Sequence, residues 1–246
     1  MTDVLVVTGA ASGIGYGVAR MLLERRPTAR VALFDRDAER VEEMADGLGA
    51  RASAHHCDVT DRSAVGRAMD AAVGGDVLTG LVNAAGNHRA DDSIDVSPEI
   101  WHSVVDTHLD GTLFVSQAAA LHMIRGGGGA IVNFSSVAHA FAWPRRLAYA
   151  VAKAGIGAIT RTLAVEWAGH GIRVNAVAPG YVDTPLIREA VVQGIVDVEL
   201  RSGQHALGRF ATTEEIAEVV EFLLSERASF VTGEIVHVDG GFSVMK

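Results

Sequence analysis

The sequence predicts an α/β fold: a doubly wound parallel sheet of about seven strands with helices on both faces. Three observations carry that prediction. Short β-rich runs alternate with helix-like segments along the whole chain. The runs are continuously apolar rather than alternating, as in VLVVTG at 4–9, which suits strands buried on both faces. A glycine-rich stretch, TGAASGIG at 8–15, opens directly after the first run and leads into a helical segment.

Each element follows in order. The helix at 14–26 leads to a strand at 31–34, a helix at 38–48 and a strand at 52–57. A helix at 62–73 precedes a strand at 77–82. The segment 97–124 reads as one long helix, with Ser97 as N-cap and Pro98 at its first position. Glycines at 126–129 end it before a strand at 130–134. A helix carrying Tyr149 runs to about 168, and a strand at 173–178 ends at Pro179-Gly180. A helix at 213–225 and a strand at 235–238 complete the pattern. No linker or repeat interrupts 1–246, so one domain is expected.

Composition excludes several classes. The 246 residues, 49 % of them hydrophobic, are enough for one large core. Net charge is −9 with no basic stripe, so nucleic acid is not an expected partner. Cys57 is the only cysteine, which excludes an intrachain disulfide and suits a reducing, cytoplasmic setting. No signal peptide is expected, because a strand begins by Val4, and no apolar run has the length to cross a bilayer. His55 and His56 would point to opposite faces of a strand, and no acidic, histidine or cysteine cluster has ligand spacing, so no catalytic metal is expected.

The glycine stretch suits a dinucleotide. Gly9, Gly13 and Gly15 let the backbone turn tightly and approach a pyrophosphate seated on a helix N-terminus. The spacing is G-x-x-x-G-x-G. About 20 residues on, Asp35 ends the second strand, where an acid accepts from ribose hydroxyls and repels a 2′-phosphate. That favours NAD over NADP, although the adjacent Arg36 suits a 2′-phosphate.

The stretch NFSSVAHAFAWPRRLAYAVAK, 133–153, carries the reactive groups. Tyr149 and Lys153 lie one helical turn apart on one face, and Ser136 stands at a strand's carboxyl end. Of the 21 lysines and arginines only two are lysines, and Lys153 is the only one before the last residue. A compact ammonium is therefore kept here in a chain that otherwise uses arginine. No G-x-S-x-G elbow surrounds Ser136, which argues against a hydrolase.

Together these motifs resemble the short-chain dehydrogenase/reductase family in its compact, single-domain branch. The resemblance covers essentially the whole chain and also takes in Asp58-Val59, the NAAG of 83–86, the PGYVDT of 179–184 and the VDGG of 238–241. It implies a Rossmann-like, NAD(P)-binding domain with a substrate lid at about 185–208. The implied cofactor residues are Gly9, Ser12, Gly13, Ile14, Gly15, Asp35, Arg36, Asp58, Val59, Asn83, Ala84 and Gly86, then Tyr149, Lys153, Pro179, Gly180, Val182 and Thr184. NAAG would support the central strand and the ribose, and 179–184 the nicotinamide carboxamide.

The implied chemistry interconverts a secondary alcohol and a ketone by hydride transfer. Tyr149 would be the general acid/base, Lys153 would depress its pKa and bind the nicotinamide ribose, and Ser136 would orient the substrate oxygen. A tyrosine titrates near 10, so neutral-pH service needs roughly 4 kcal/mol of extra phenolate stabilisation. The family's fourth catalytic residue is an asparagine that anchors a relay water; here the run is His108-Leu109-Asp110-Gly111. His108 either replaces that relay member, serves only as a polar group in the helix, or marks a weakened relay. If it titrates near neutrality, His108→Asn should keep activity and alter its pH profile.

His139, Arg145, Arg146, Tyr181 and His205 are candidate substrate contacts, and the two arginines suit a carboxylate or phosphate as well as a solvated or intersubunit role. The NAD preference leans toward alcohol oxidation. An NADP-dependent 3-oxoacyl-type carbonyl reductase is the alternative, and a non-catalytic NAD-binding sensor or scaffold a second. The family expectation is a homotetramer, for which the apolar helix AGIGAITRTLAVEWA would suit an interface, although core burial explains the same pattern.

Overall fold

The computed structural model describes residues 1–245. One seven-stranded, fully parallel sheet organises the chain, in the order β3-β2-β1-β4-β5-β6-β7. The strands are β1 (Asp3–Thr8), β2 (Arg30–Asp35), β3 (Ala52–His56), β4 (Val77–Asn83), β5 (Gly129–Phe134), β6 (Ile172–Pro179) and β7 (Ile235–Val238). Helices α1 (Gly13–Arg25), α2 (Ala38–Leu48), α3 (Arg62–Val73), α4 (Pro98–Val105), α5 (Gly111–Gly126) and α6 (Leu147–Trp167) precede α7 (Pro185–Val192), α8 (Val198–Ser202) and α9 (Thr213–Leu224).

The continuously apolar strands have the physical reason read from the sequence. In β1, Leu5 and Val7 pack into one core with Val18 and Leu22 of α1 and Ile216 and Val220 of α9. Val4 and Val6 point the other way, into a core with Val65 and Met69 of α3, Val115 of α5 and Leu163 of α6. Both faces of the sheet are covered, so every position of a central strand must be apolar. The strand order reverses between β1 and β4, and this switch point opens a crevice at the carboxyl ends of those strands.

A polar seam runs through the second core. The Asn83 amide donates to Ser116 Oγ and to Asn133 Oδ1, each at 2.9 Å, and Asn133 Nδ2 donates to Thr160 Oγ1 at 3.0 Å. These buried side chains tie β4 and β5 to α5 and α6. Breaking such a chain leaves buried groups unpaired, at about 1–3 kcal/mol each.

One expected element differs. The segment read as a continuous helix over 97–124 contains a π-helical turn, Asp106–Asp110, between α4 and α5. The Gly111 N–H reaches back five residues to the Asp106 carbonyl. Periodicity misses this, because one extra residue in a turn shifts the apolar stripe only slightly; such bulges occur frequently at functional sites.

Candidate active site

The dinucleotide half of the cleft is shaped by backbone. Gly9 has φ +65°, and a Cβ there would lie 2.8 Å from Ala84 O and Ala85 N. A Cβ on Gly15 would lie 2.3 Å from the Gly9 carbonyl, so neither position admits a side chain without the turn moving. Thr8 Oγ1 accepts from the Ala84 and Ala85 N–H groups at 3.1 and 3.0 Å and pins the second turn against the first. Ser12 precedes α1 without making a side-chain cap, which leaves the first N–H groups of that helix free of a protein side-chain acceptor. Thr184, the N-cap of α7, lies over this turn, with its Cβ 3.7 Å from where a Gly13 Cβ would be.

Gly9, Asp35, Arg36, Asp58, Val59 and Gly86 line one cavity of about 260 Å³. Asp35 is fixed there by two backbone donors, Ala11 N–H on Oδ2 at 3.0 Å and Asp37 N–H on Oδ1 at 3.1 Å, and a carboxylate so held keeps lone pairs for further donors. Arg36 is exposed at the same cavity. Asp58 Oδ1 accepts from Thr60 N–H and Oγ1, and Val59 is buried against Gly111. These residues fit a nicotinamide dinucleotide: an uncapped helix N-terminus lies close to an acid-edged cavity.

The structure sets two predicted cofactor residues apart. Asn83 spends its amide in the buried seam, away from the cavity lining, which supports the strand rather than a ligand. Val182 is buried and bridges to Ala211. Pro179 ends β6, Gly180 follows it, and Ile14 and Gly15 lie in the first turn of α1.

The three reactive side chains converge. Ser136 follows β5, its Oγ accepts from Ala138 N–H at 3.2 Å, and its hydroxyl is near enough to Tyr149 to lower that group's pKa. Lys153 Nζ lies 5.4 Å from the Tyr149 ring centroid and donates to the Phe134 carbonyl at 2.7 Å. Ser135 Oγ donates to the Lys153 carbonyl at 3.0 Å and locks α6 to the strand end. Burial pushes the Tyr149 hydroxyl above its ordinary value, partly offset by the Ser136 hydroxyl and the Arg146 charge. Burial also pushes the Lys153 ammonium down to about 7. The depression expected of Tyr149 counted on the Lys153 ammonium and the positive nicotinamide ring together. In the protein chain, desolvation makes Lys153 only part-charged at neutral pH and leaves Tyr149 raised.

The π turn places His108 in contact with this group. Its ring stands edge-on to Tyr149, with centroids 5.4 Å apart. Nε2 lies 2.9 Å from the Asn87 carbonyl and 3.3 Å from the Asn87 N, donating to the one or accepting from the other according to the tautomer, and Nδ1 is buried without a partner among the described residues. A Cβ on Gly86 would lie 2.5 Å from His108 Cε1, so the glycine of NAAG makes room for the ring. Burial first, then Lys153, pushes the His108 pKa to about 3. The expectation of a group titrating near neutrality is thereby corrected: this imidazole stays neutral.

The expected substrate residues divide. Arg146, at the entry to α6, donates to His88 Nδ1 at 3.0 Å, and its charge acts on Tyr149 and Tyr181. Tyr181 stacks on Phe210 at 5.3 Å. Arg145 is exposed, with φ +64°. His139 is engaged with His237 of β7, their Nε2 atoms 3.0 Å apart. His205 is buried and locked, its Nδ1 bonded to the Arg201 carbonyl at 2.9 Å and its Nε2 accepting from Tyr181 N–H at 3.1 Å. That makes it a strut between α8 and the segment after β6, since both ring nitrogens are taken. Sequence reasoning missed Asn87, His88 and Arg201. The first two follow NAAG directly, a usable signal; nothing in the sequence points to Arg201.

Among the described residues no group of three or more His, Cys, Asp or Glu could hold a metal ion, and no helix is long and apolar enough to cross a membrane.

Known proteins share this fold. The family model described as enoyl-(acyl carrier protein) reductase matches residues 9–243. The chain is 40 % identical to cis-4-hydroxycyclohexanecarboxylate dehydrogenase of Sinomonas cyclohexanicum, over 98 % of this chain and 97 % of the relative. Among solved structures, a short chain dehydrogenase/reductase family protein superposes with TM-score 0.89 at 36 % identity, covering 98 % of this chain and 97 % of that one. ElxO with NADP bound superposes with TM-score 0.92 at 29 % identity, covering 100 % of both. With its fold, cleft and near-complete alignment in agreement, the chain belongs to the short-chain dehydrogenase/reductase family and is a nicotinamide-dinucleotide-dependent oxidoreductase of alcohols and ketones.

Proposed function

We propose that the chain is an NAD-dependent dehydrogenase that oxidises a secondary alcohol to a ketone, with Tyr149 as general base and, in the reverse direction, general acid. The observation that carries this reading is the convergence of Ser136, Tyr149 and Lys153 on one side of a cleft whose far end is edged by Asp35.

The chain's own groups divide the work. Ser136 holds the substrate oxygen beside the Tyr149 hydroxyl. Tyr149 takes the alcohol proton while the carbinol hydride departs. Lys153, anchored on the Phe134 carbonyl, is poised at about 7 to pass a proton on from Tyr149 at neutral pH. His108, neutral, brings a buried and unpartnered Nδ1 to the position where the family's asparagine serves the relay. Bound oxidised dinucleotide supplies the hydride acceptor and a positive ring whose charge favours the phenolate.

Asp35 supports NAD, because a second negative charge at the ribose would face a fixed carboxylate. Arg36 at the same cavity keeps an NADP-dependent reductase as the second reading. The segment 185–208, two short helices with exposed Leu186, Ile195 and Leu200, suits the substrate lid. Exposed Leu121, Val151 and Val165 on α5 and α6 support a homotetramer, and the lone buried Cys57 suits a cytoplasmic home.

The test is absorbance at 340 nm with NAD, then NADP, against polyols, hydroxy acids, steroids and ring alcohols, the last because the Sinomonas relative is named for a ring hydroxycarboxylate. NADH formation that vanishes in Tyr149→Phe is expected. Signal with NADP alone would overturn the Asp35 reading, and tight NAD binding without turnover would favour a sensor or scaffold.

A further inference from the structure

Among the described residues seven of the nineteen arginines pair with a carboxylate, among them Arg188 with Asp183, Arg209 with Glu215 and Arg227 with Glu221. Of the half-buried arginines without one, Arg51 and Arg173 each donate to three backbone carbonyls, whereas Arg146 and Arg201 have no such set. Arg146 Nη1 is held by the His88 ring nitrogen at 3.0 Å and reaches the Arg89 carbonyl at 3.5 Å. His88 is exposed and accepts that bond only when neutral; desolvation and the Arg146 and Arg89 charges push its pKa down to about 4. Its ring centroid lies 6.1 Å from that of Tyr149, and the Arg146 charge is felt at the Tyr149 hydroxyl. Arg201, on α8, lies 5.7 Å over the Tyr181 ring, and its only polar side-chain partner is Gln204 at 3.2 Å. The Arg201 charge adds to the burial penalty at Arg146.

Two like charges, half-buried and without a counterion, cost stability unless something anionic arrives. One cation sits at the entry to α6, one turn before Tyr149. The other sits on the segment 185–208, which His205 ties back to Tyr181. We infer that Arg146 and Arg201 form an anion subsite that selects alcohols carrying a carboxylate away from the carbinol, gripped between α6 and α8. This rests on the dehydrogenase reading above and names its substrate class. Arg146 would supply bidentate donors and Arg201 a charge that arrives with α8.

The experiment compares hydroxy acids of increasing carbinol–carboxylate separation with their methyl esters, alongside binding of cyclohexanecarboxylate to the NAD-loaded protein by calorimetry. For the best acid, kcat/KM should exceed that of its ester by about 10- to 100-fold, the worth of one or two charge-assisted hydrogen bonds. Arg146→Met should collapse that ratio mainly through KM and abolish cyclohexanecarboxylate binding. Arg146→Lys should recover part of it, and Arg201→Met should act in the same direction more weakly. Esters used as well as acids, an equal loss on both in Arg146→Met, or no saturable cyclohexanecarboxylate binding would each overturn the subsite. Arg146-dependent binding without turnover of any alcohol would support the subsite and sink the dehydrogenase reading instead.

Discussion

The two ends of the cleft are built by different means. At the dinucleotide end, shape comes from backbone: glycines at 9 and 15 admit no side chain, Thr8 pins the next turn, and Asp35 is fixed by two N–H groups. At the substrate end, long side chains from distant segments meet: His88 after β4, Arg146 before α6, and Tyr181, Arg201 and His205 beyond β6. The first end tolerates little substitution because backbone approach leaves no slack. The second can change specificity by exchanging side chains while the fold stays put. Lys153 stands where the two meet and feels the dryness of the core.

The largest break in this division should come at that junction. Lys153→Met should lower kcat by about 10²- to 10⁴-fold, the usual worth of a positioned proton-transfer group, with NAD still bound by calorimetry. Its stability should move the opposite way. Between about pH 7, where the buried ammonium titrates, and the unfolded value near 10.4, the unfolded chain binds more protons than the native one. Wild-type stability therefore rises with pH through that window, and below it the full burial penalty is felt. Free Lys153→Met should melt above wild type at pH 7, with the gap closing toward pH 10; a constant gap would remove the desolvation argument.

Next comes the seam behind the site. Asn83→Ala strands the Ser116 and Asn133 partners and should cost about 1–3 kcal/mol in denaturant unfolding. A variant of unchanged stability with weakened NAD binding would return Asn83 to the cofactor. At the backbone-shaped end, Asp35→Ser removes the charge together with the acceptor of the Ala11 and Asp37 N–H groups. It should shift the NAD:NADP preference in kcat/KM by about tenfold toward NADP, the worth of roughly 1.4 kcal/mol, and an unmoved ratio would show that Arg36 already dominates. The smallest effect belongs to His108→Asn. With His108 pushed to about 3, the kcat/KM profile should keep its shape between about pH 5 and 9. Loss of an inflection near neutrality on substitution would mean that the ring titrates in the working enzyme.

What the sequence determined alone is the sheet, the glycine turn, Asp35 and the Ser136, Tyr149 and Lys153 set. All of these express local rules: strands buried on both faces must be apolar throughout, a close backbone approach demands glycine, and a helix repeat puts residues four apart on one side. Tertiary structure alone decided the rest. It put a π turn inside an uninterrupted helical pattern, turned Asn83 inward, froze His205 between two partners and gave Arg146 and Arg201 no carboxylate among the described residues. It also settled the charge states. A pKa depends on how much water and which neighbours surround a group, and those come from segments far apart in the chain.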